Sequence, residues 1–230
     1  PICFAVTTGP DSYVGMQNYF RLEGLAYRLV PIYSKSANPN VSGTVGTDIM
    51  FKNVMEKFLW GGMDSEDPVY LDENVLRMTT NLRLQLATLA DALVDEGRKD
   101  DAKTVLDLTM EKMPERNVPY DRIMLPIIEA YYNAGDTASA NAITERLFQI
   151  MDENMAHFLS LEPRFVEKIG SEMELTHMVL ERMVQATMVH KQKGLGDRLE
   201  KRLSEIDELY NAKLEDAALE QGRRNSKVRF

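Results

Sequence analysis

The residues able to do chemistry are few and scattered along this chain. His177 has Glu174 and Glu181 at helical spacing, which sets an imidazole beside two carboxylates on one face, the start of a cation site. A zinc site needs three or four converging ligands, and neither His157 nor His190 stands in a metal-binding spacing, so a solvated face is the expectation. Gly9, Pro10, Asp11 and Ser12 follow an apolar run and precede a short helical pattern, a context in which backbone N–H groups can cradle an anion. The G-x-x-x-x-G-K-S/T pattern is absent, and a plain strand-to-helix turn is expected there. Asp64, Glu66 and Asp67 lack EF-hand spacing and its central Gly and read as a solvated loop. No Ser/His/Asp, Cys/His or paired-carboxylate arrangement emerges, so no catalytic residue, no metal site and no cofactor is assigned.

Binding is better represented than catalysis. Trp60, followed by Gly61 and Gly62, has the character of a stacking platform for a sugar or peptide, set against the alternative of a helix-terminal Trp packed on the core. Tyr131, Tyr132 and Asn133 lie on a helix of the kind that lines a concave binding face in repeat proteins, although at least one of two adjacent tyrosines must face inward. Cys3, the single cysteine, sits in the apolar run Ile2 to Val6 and is expected to be a buried, inert thiol. The fourteen methionines are expected to fill gaps between helices.

These residues are carried by two matching helical segments, Leu89 to Pro114 and Ile127 to Asp152. In each, an Ala comes five residues before a turn Gly and another five after it: Ala92, Gly97 and Ala102, then Ala130, Gly135 and Ala140. Small side chains let antiparallel helices cross closely, and Gly accepts the positive φ of a tight turn. The pattern resembles the tetratricopeptide repeat, whose period is about 34 residues, lengthened here by a connector at Asn117 to Tyr120. The expected fold is mainly α, tetratricopeptide-like hairpins at 75–114 and 121–153 in an α-α superhelix, closed by capping helices over 172–221. Thr47 is expected to cap a first helix, Asp72 or Asn74 the second, and Pro126 falls in a first turn, where its missing N–H costs least. Gly194 and Gly196 are expected to break the chain before a last helix whose stripe, Leu199, Leu203, Ile206, Tyr210, Leu214 and Ala217, suits capping or self-association. The terminal GRRNSKVRF reads as basic and frayed. Residues 1–46 have a different texture, strand, short helix, strand, and predict a small two-stranded β element packing on a helical domain at 47–230; 34–46 reads as a mobile loop.

A content of 44% hydrophobic and 27% charged residues over 230 positions is that of an ordered globular chain. The net charge of −9 argues against nucleic acid as a partner, since phosphate neutralisation needs a basic surface. No apolar stretch approaches the ~20 residues that span a bilayer. The start at Pro1 suggests a piece of a longer protein or a processed product, and the lack of a membrane segment here leaves room for one upstream.

Several segments carry a family resemblance: PICFAVTTG, LEGLAYRLVPI, KFLWGGMD, VYLDE, LADALVDEG, MPERNVPYD and EAYYNAGD, covering residues 1 to about 162. Their order and spacing resemble the C-terminal extramembrane part of a bacterial family of large multi-pass membrane proteins, catalogued as a domain of unknown function. That family is similar to eukaryotic membrane protein O-mannosyltransferases. The resemblance implies a parent enzyme that transfers a sugar to Ser or Thr of exported proteins, with its catalytic acid in the membrane part, and a location on the periplasmic side of the inner membrane. It implies for this chain a non-catalytic interaction domain whose partner is an acceptor protein or its own upstream membrane domain. An architectural self-association domain and a direct glycan-binding module are the alternatives.

Overall fold

The N-terminal strands are short, and their alternation sets the sheet. β1 (Cys3–Ala5), β2 (Phe20–Leu22), β3 (Ala26–Leu29) and β4 (Thr44–Val45) form one sheet in the order β1-β3-β2-β4. β1 and β2 flank β3 antiparallel, and β4 runs parallel to β2. Phe4 stands opposite Tyr27 and Tyr27 opposite Leu22, so these share a face with Phe20. There Phe4, Tyr13, Phe20 and Tyr27 form an aromatic cluster, with Phe4 and Phe20 centroids 4.8 Å apart. The expected two-stranded element is therefore four-stranded. The strands at 20–22 and 44–45 are too short to show an alternation in sequence, and the second lies inside the stretch expected to be a loop. Cys3 is exposed rather than buried, because β1 is an edge strand and Cys3 points away from the aromatic face.

The computed structural model describes residues 1–35 and 42–227, with side chains as far as residue 222; the rest of the expected mobile loop and the last three residues lie outside the described residues. Among the described residues seven α-helices follow the sheet: α1 (Thr47–Glu56), α2 (Glu73–Asp95), α3 (Lys99–Lys112), α4 (Met124–Ala134), α5 (Thr137–Ser160), α6 (Val166–Val189) and α7 (Lys193–Lys227). The chain forms two compact units, Pro1–Ala140 and Asn141–Phe230, and the fold is mainly α.

In the first unit α2, α3 and α4 pack on one another around Leu86, Leu89, Leu93, Leu106 and Ile127, all fully buried. The Asp72 carboxylate caps α2 by accepting from the Val75 N–H at 2.9 Å. Thr47 does not cap α1: Gly46 holds that position, and the Thr47 hydroxyl donates to Glu96 at 2.8 Å. With Arg98 reaching Asp48 at 2.7 Å, this bond fastens the start of α1 to the α2–α3 turn.

That turn closes through Gly97 at φ 80, with the Arg98 N–H donating to the Leu93 carbonyl; the α4–α5 turn repeats it through Gly135 at φ 94, with the Asp136 N–H donating to Tyr131. The same pattern appears a third time in the second unit. There Lys191 takes the left-handed conformation at φ 58, and the Gln192 N–H donates to Thr187. Small residues flank this turn at the same five-residue offsets, Ala186 and Gly196. The expected break at Gly194 and Gly196 is thus displaced to 190–192, and both glycines lie inside α7. A Cβ on Gly196 would stand 3.0 Å from the Thr187 hydroxyl, so this glycine serves the close approach of α7 to α6.

Candidate functional site

The best-defined polar construction in the molecule joins the connector between α3 and α4 to the sixteen-residue segment 57–72 between α1 and α2. It begins with Arg83, on the apolar face of α2 in step with Thr79, Leu86 and Ala90. Arg83 is fully buried, and backbone carbonyls rather than a carboxylate take its hydrogen bonds. Its guanidinium donates to Met113 O and Val118 O, each at 2.6 Å, and to Pro119 O at 3.1 Å, while lying 5.4 Å from the centre of the Tyr120 ring. Burial pulls its pKa down to about 10, opposed by the nearby Tyr120, Asp121 and Glu115, and leaves it charged at neutral pH. A guanidinium presents several donors in a rigid fork, which suits a connector whose carbonyls have left helix α3 without a ladder to join.

The connector so fixed holds the 57–72 segment. Asn117, only 4% exposed, donates to Met63 O at 2.8 Å and Ser65 O at 2.9 Å, and accepts from the Val69 N–H at 3.0 Å. Arg116 donates to Asp64 O and Ser65 O, each at 2.9 Å, and Lys112 pairs with the Asp64 carboxylate at 2.7 Å. The hydrogen bond from Lys112 holds the Asp64 carboxyl below the usual range. On this framework Leu59 is 97% and Tyr70 90% exposed. Trp60 is half-buried, its ring 5.9 Å from Phe58, and Phe58 in turn packs against the backbone of Gly24.

The other expected binding residues separate. Tyr131 and Tyr132 are 2% and 5% exposed and belong to the core; the Tyr131 hydroxyl donates to Asp107 at 3.0 Å, and burial, then Asp107, push its pKa up. Asn133 is exposed and donates to Asp91 at 3.5 Å. Asp91 is pushed up to about 6 by burial, with Glu129 and Asp95 adding to the rise and the Asn133 hydrogen bond opposing it. Asn133 and Asp91 thus form a polar pair on the α2–α4 face, and Trp60 sits on the separate 57–72 segment.

His177 meets Asp207 at 2.5 Å and Glu181 at 3.8 Å and stacks on Tyr210 with centroids 4.8 Å apart. Among the described residues no group of three His, Cys, Asp or Glu side chains is arranged to hold a metal ion. At 9–12 the chain closes a 3-10 turn, with the Ser12 N–H donating to Gly9 O. Leu199, Leu203 and Ile206, the first part of the α7 stripe, are buried within the chain itself, whereas Leu209, Leu214 and Leu219 further along are exposed.

Sequence reasoning missed Arg83 and Asn117. A charged residue in register with an apolar helix face was the available signal for the first. For the second it was the four-residue lengthening of the repeat, a place where extra backbone needs new partners.

The fold is that of a mainly helical domain with a small N-terminal sheet. Residues 1–49, the sheet and the first residues of α1, match the model of the family TMEM260-associated domain 2, a family tied to a membrane protein. No curated protein and no solved structure matches the chain. Among the described residues no helix is long and apolar enough to cross a membrane.

Proposed function

We propose that this chain is a non-catalytic, helical-repeat interaction domain of a membrane-anchored protein on the periplasmic side of the membrane. It is accessory to a glycosyltransferase of the O-mannosyltransferase kind that acts on exported proteins. The observation that carries the reading is the match of residues 1–49 to a domain family tied to a membrane protein. That sheet is fastened to the helices through Asn53, which donates to Glu23 O at 2.7 Å, and through Phe58 against Gly24. The recurrence of one turn geometry at Gly97, Gly135 and Lys191 supports the repeat character. The docking surface in this reading is the outer side of segment 57–72, with Leu59, Trp60 and Tyr70, together with the α2–α4 face at Asn133. Tyr131 and Tyr132 support that face from within.

Site-specific photocrosslinking in membranes of the source cell tests it. A photoreactive residue at Leu59, Tyr70 or Asn133 is expected to capture a multi-pass membrane protein or Ser/Thr-rich exported proteins. A control at the exposed Asp100 is expected to capture neither. Equal capture at all four positions would defeat the proposal. Self-association through Leu209, Leu214 and Leu219 is the second reading, favoured by their exposure at 55, 38 and 61%; a concentration-independent monomer in sedimentation would end it.

A further inference from the structure

We infer that residues 57–72 form a latched strap that opens as one unit from a closed position set by Asn117, and that Arg83, which donates only to the connector, sets the latch through Asn117. The strap has no regular secondary structure between α1 and α2. Structureless segments of this length inside compact domains are uncommon and are usually either functional or linkers, and the hydrogen bonds that hold this one distinguish it from a free linker. Its polar attachment is concentrated: three hydrogen bonds through Asn117, two through Arg116 and the Lys112–Asp64 pair come from residues 112–117, while Phe58 at its start packs against Gly24. Its large apolar side chains add little hold at Leu59 and Tyr70, which face solvent. A segment held by few buried apolar contacts opens at lower free energy than the helices around it.

Asn117 saturates both amide hydrogens and its carbonyl oxygen on the strap, so its side chain works only if the connector backbone is fixed. Arg83 fixes it, through the carbonyls of Met113, Val118 and Pro119 on either side. The two residues therefore act in series.

The experiment is hydrogen exchange on the whole chain, read at the Met63, Ser65 and Val69 amides, whose N–H groups donate to Trp60 O, Gly62 O and Asn117. In the unsubstituted protein these amides are expected to share one opening constant, larger than that of α2 and α3 and nearly independent of low urea. In Asn117→Ala, loss of three hydrogen bonds at roughly five-fold each speeds their exchange on the order of 100-fold, or to the unprotected rate. The helices keep most of their protection, and Trp60, the single tryptophan, becomes more open to a collisional quencher. Asn117→Asp keeps the acceptor for Val69 and loses both donors, so it should speed all three strap amides together, by less than Asn117→Ala. Arg83→Lys should speed the strap amides as well, but add nothing to them in the Asn117→Ala background. The inference is overturned if the strap amides share the free energy and urea slope of α2 and α3. It is also overturned if Asn117→Ala leaves them unchanged, or if the Arg83 and Asn117 effects add. The exchange of the unsubstituted protein decides the first point even if a variant fails to fold.

Discussion

Two arginines that join elements, Arg83 in the first unit and Arg202 in the second, find their partners in opposite ways. In the first, Arg83 is wholly buried and its hydrogen bonds end on backbone carbonyls of a connector. In the second, Arg202 lies at the surface and forks onto the Asp152 carboxylate at 2.9 and 3.0 Å, with Glu205 at 2.8 Å, and Arg198 pairs with Glu145. The difference follows from the backbone. Residues 141–227 are nearly all helical, so their carbonyls are satisfied within the helices and side chains are left to pair with each other. Residues 57–72 and 113–123 have no ladder, and an unpaired buried carbonyl is costly, so the first unit invests Arg83 and Asn117 in backbone. Where the second unit does leave carbonyls open, at the end of α5, Lys213 donates to Leu159 and Leu161.

Substitutions at five positions sharpen or break that contrast. Arg83→Met, which orphans three carbonyls while removing a buried charge, should cost about 3 kcal/mol in urea unfolding at neutral pH, with Arg83→Lys intermediate; a loss as small as that of a surface arginine would break the contrast. Gly196→Val places side-chain atoms on the buried Thr187 hydroxyl and should cost about 2 kcal/mol, read as a lower thermal midpoint of the second unit. Asp91→Asn removes a carboxylate that burial has pushed up to about 6. Because its folded pKa lies above the unfolded value, the folded protein holds the proton more tightly, and stability falls as pH rises from about 4 to about 6. The variant should therefore gain about 1 kcal/mol at pH 7 and nothing at pH 4, flattening the profile in between; an unchanged profile would show Asp91 to be better solvated than its position implies. Lys191→Gly relieves a left-handed lysine and should stabilise by about 1 kcal/mol. Smallest of all, Arg202→Met removes a pair whose arginine side chain is 41% exposed, and should cost less than about 1 kcal/mol, an effect that added salt erases.

The hairpin turns at Gly97 and Gly135 were legible because the residue type and the backbone requirement coincide: a positive φ next to flanking alanines. The third turn was hidden for the converse reason. Its hydrogen bonds and its small neighbours Ala186 and Gly196 match the other two, but Lys191 stands where the glycine signal is expected. Pro126 in the first turn of α4 and Asp72 before α2 were readable for the same local reason. Two of the four strands were not, because two or three residues carry no period. Of the residues expected to bind, Asn133 is exposed and Trp60 half-buried, whereas Tyr131 and Tyr132 are both buried, a choice between helix faces that adjacency alone left open.

Sequence by itself determined the helical character, the two glycine turns and the absence of a nucleic-acid-like charge, since each depends on the residues within one turn of chain or on composition. Only the tertiary structure decided that Arg83 and Asn117 matter, because their partners lie 30 to 54 residues away and are backbone atoms, which every residue type provides alike.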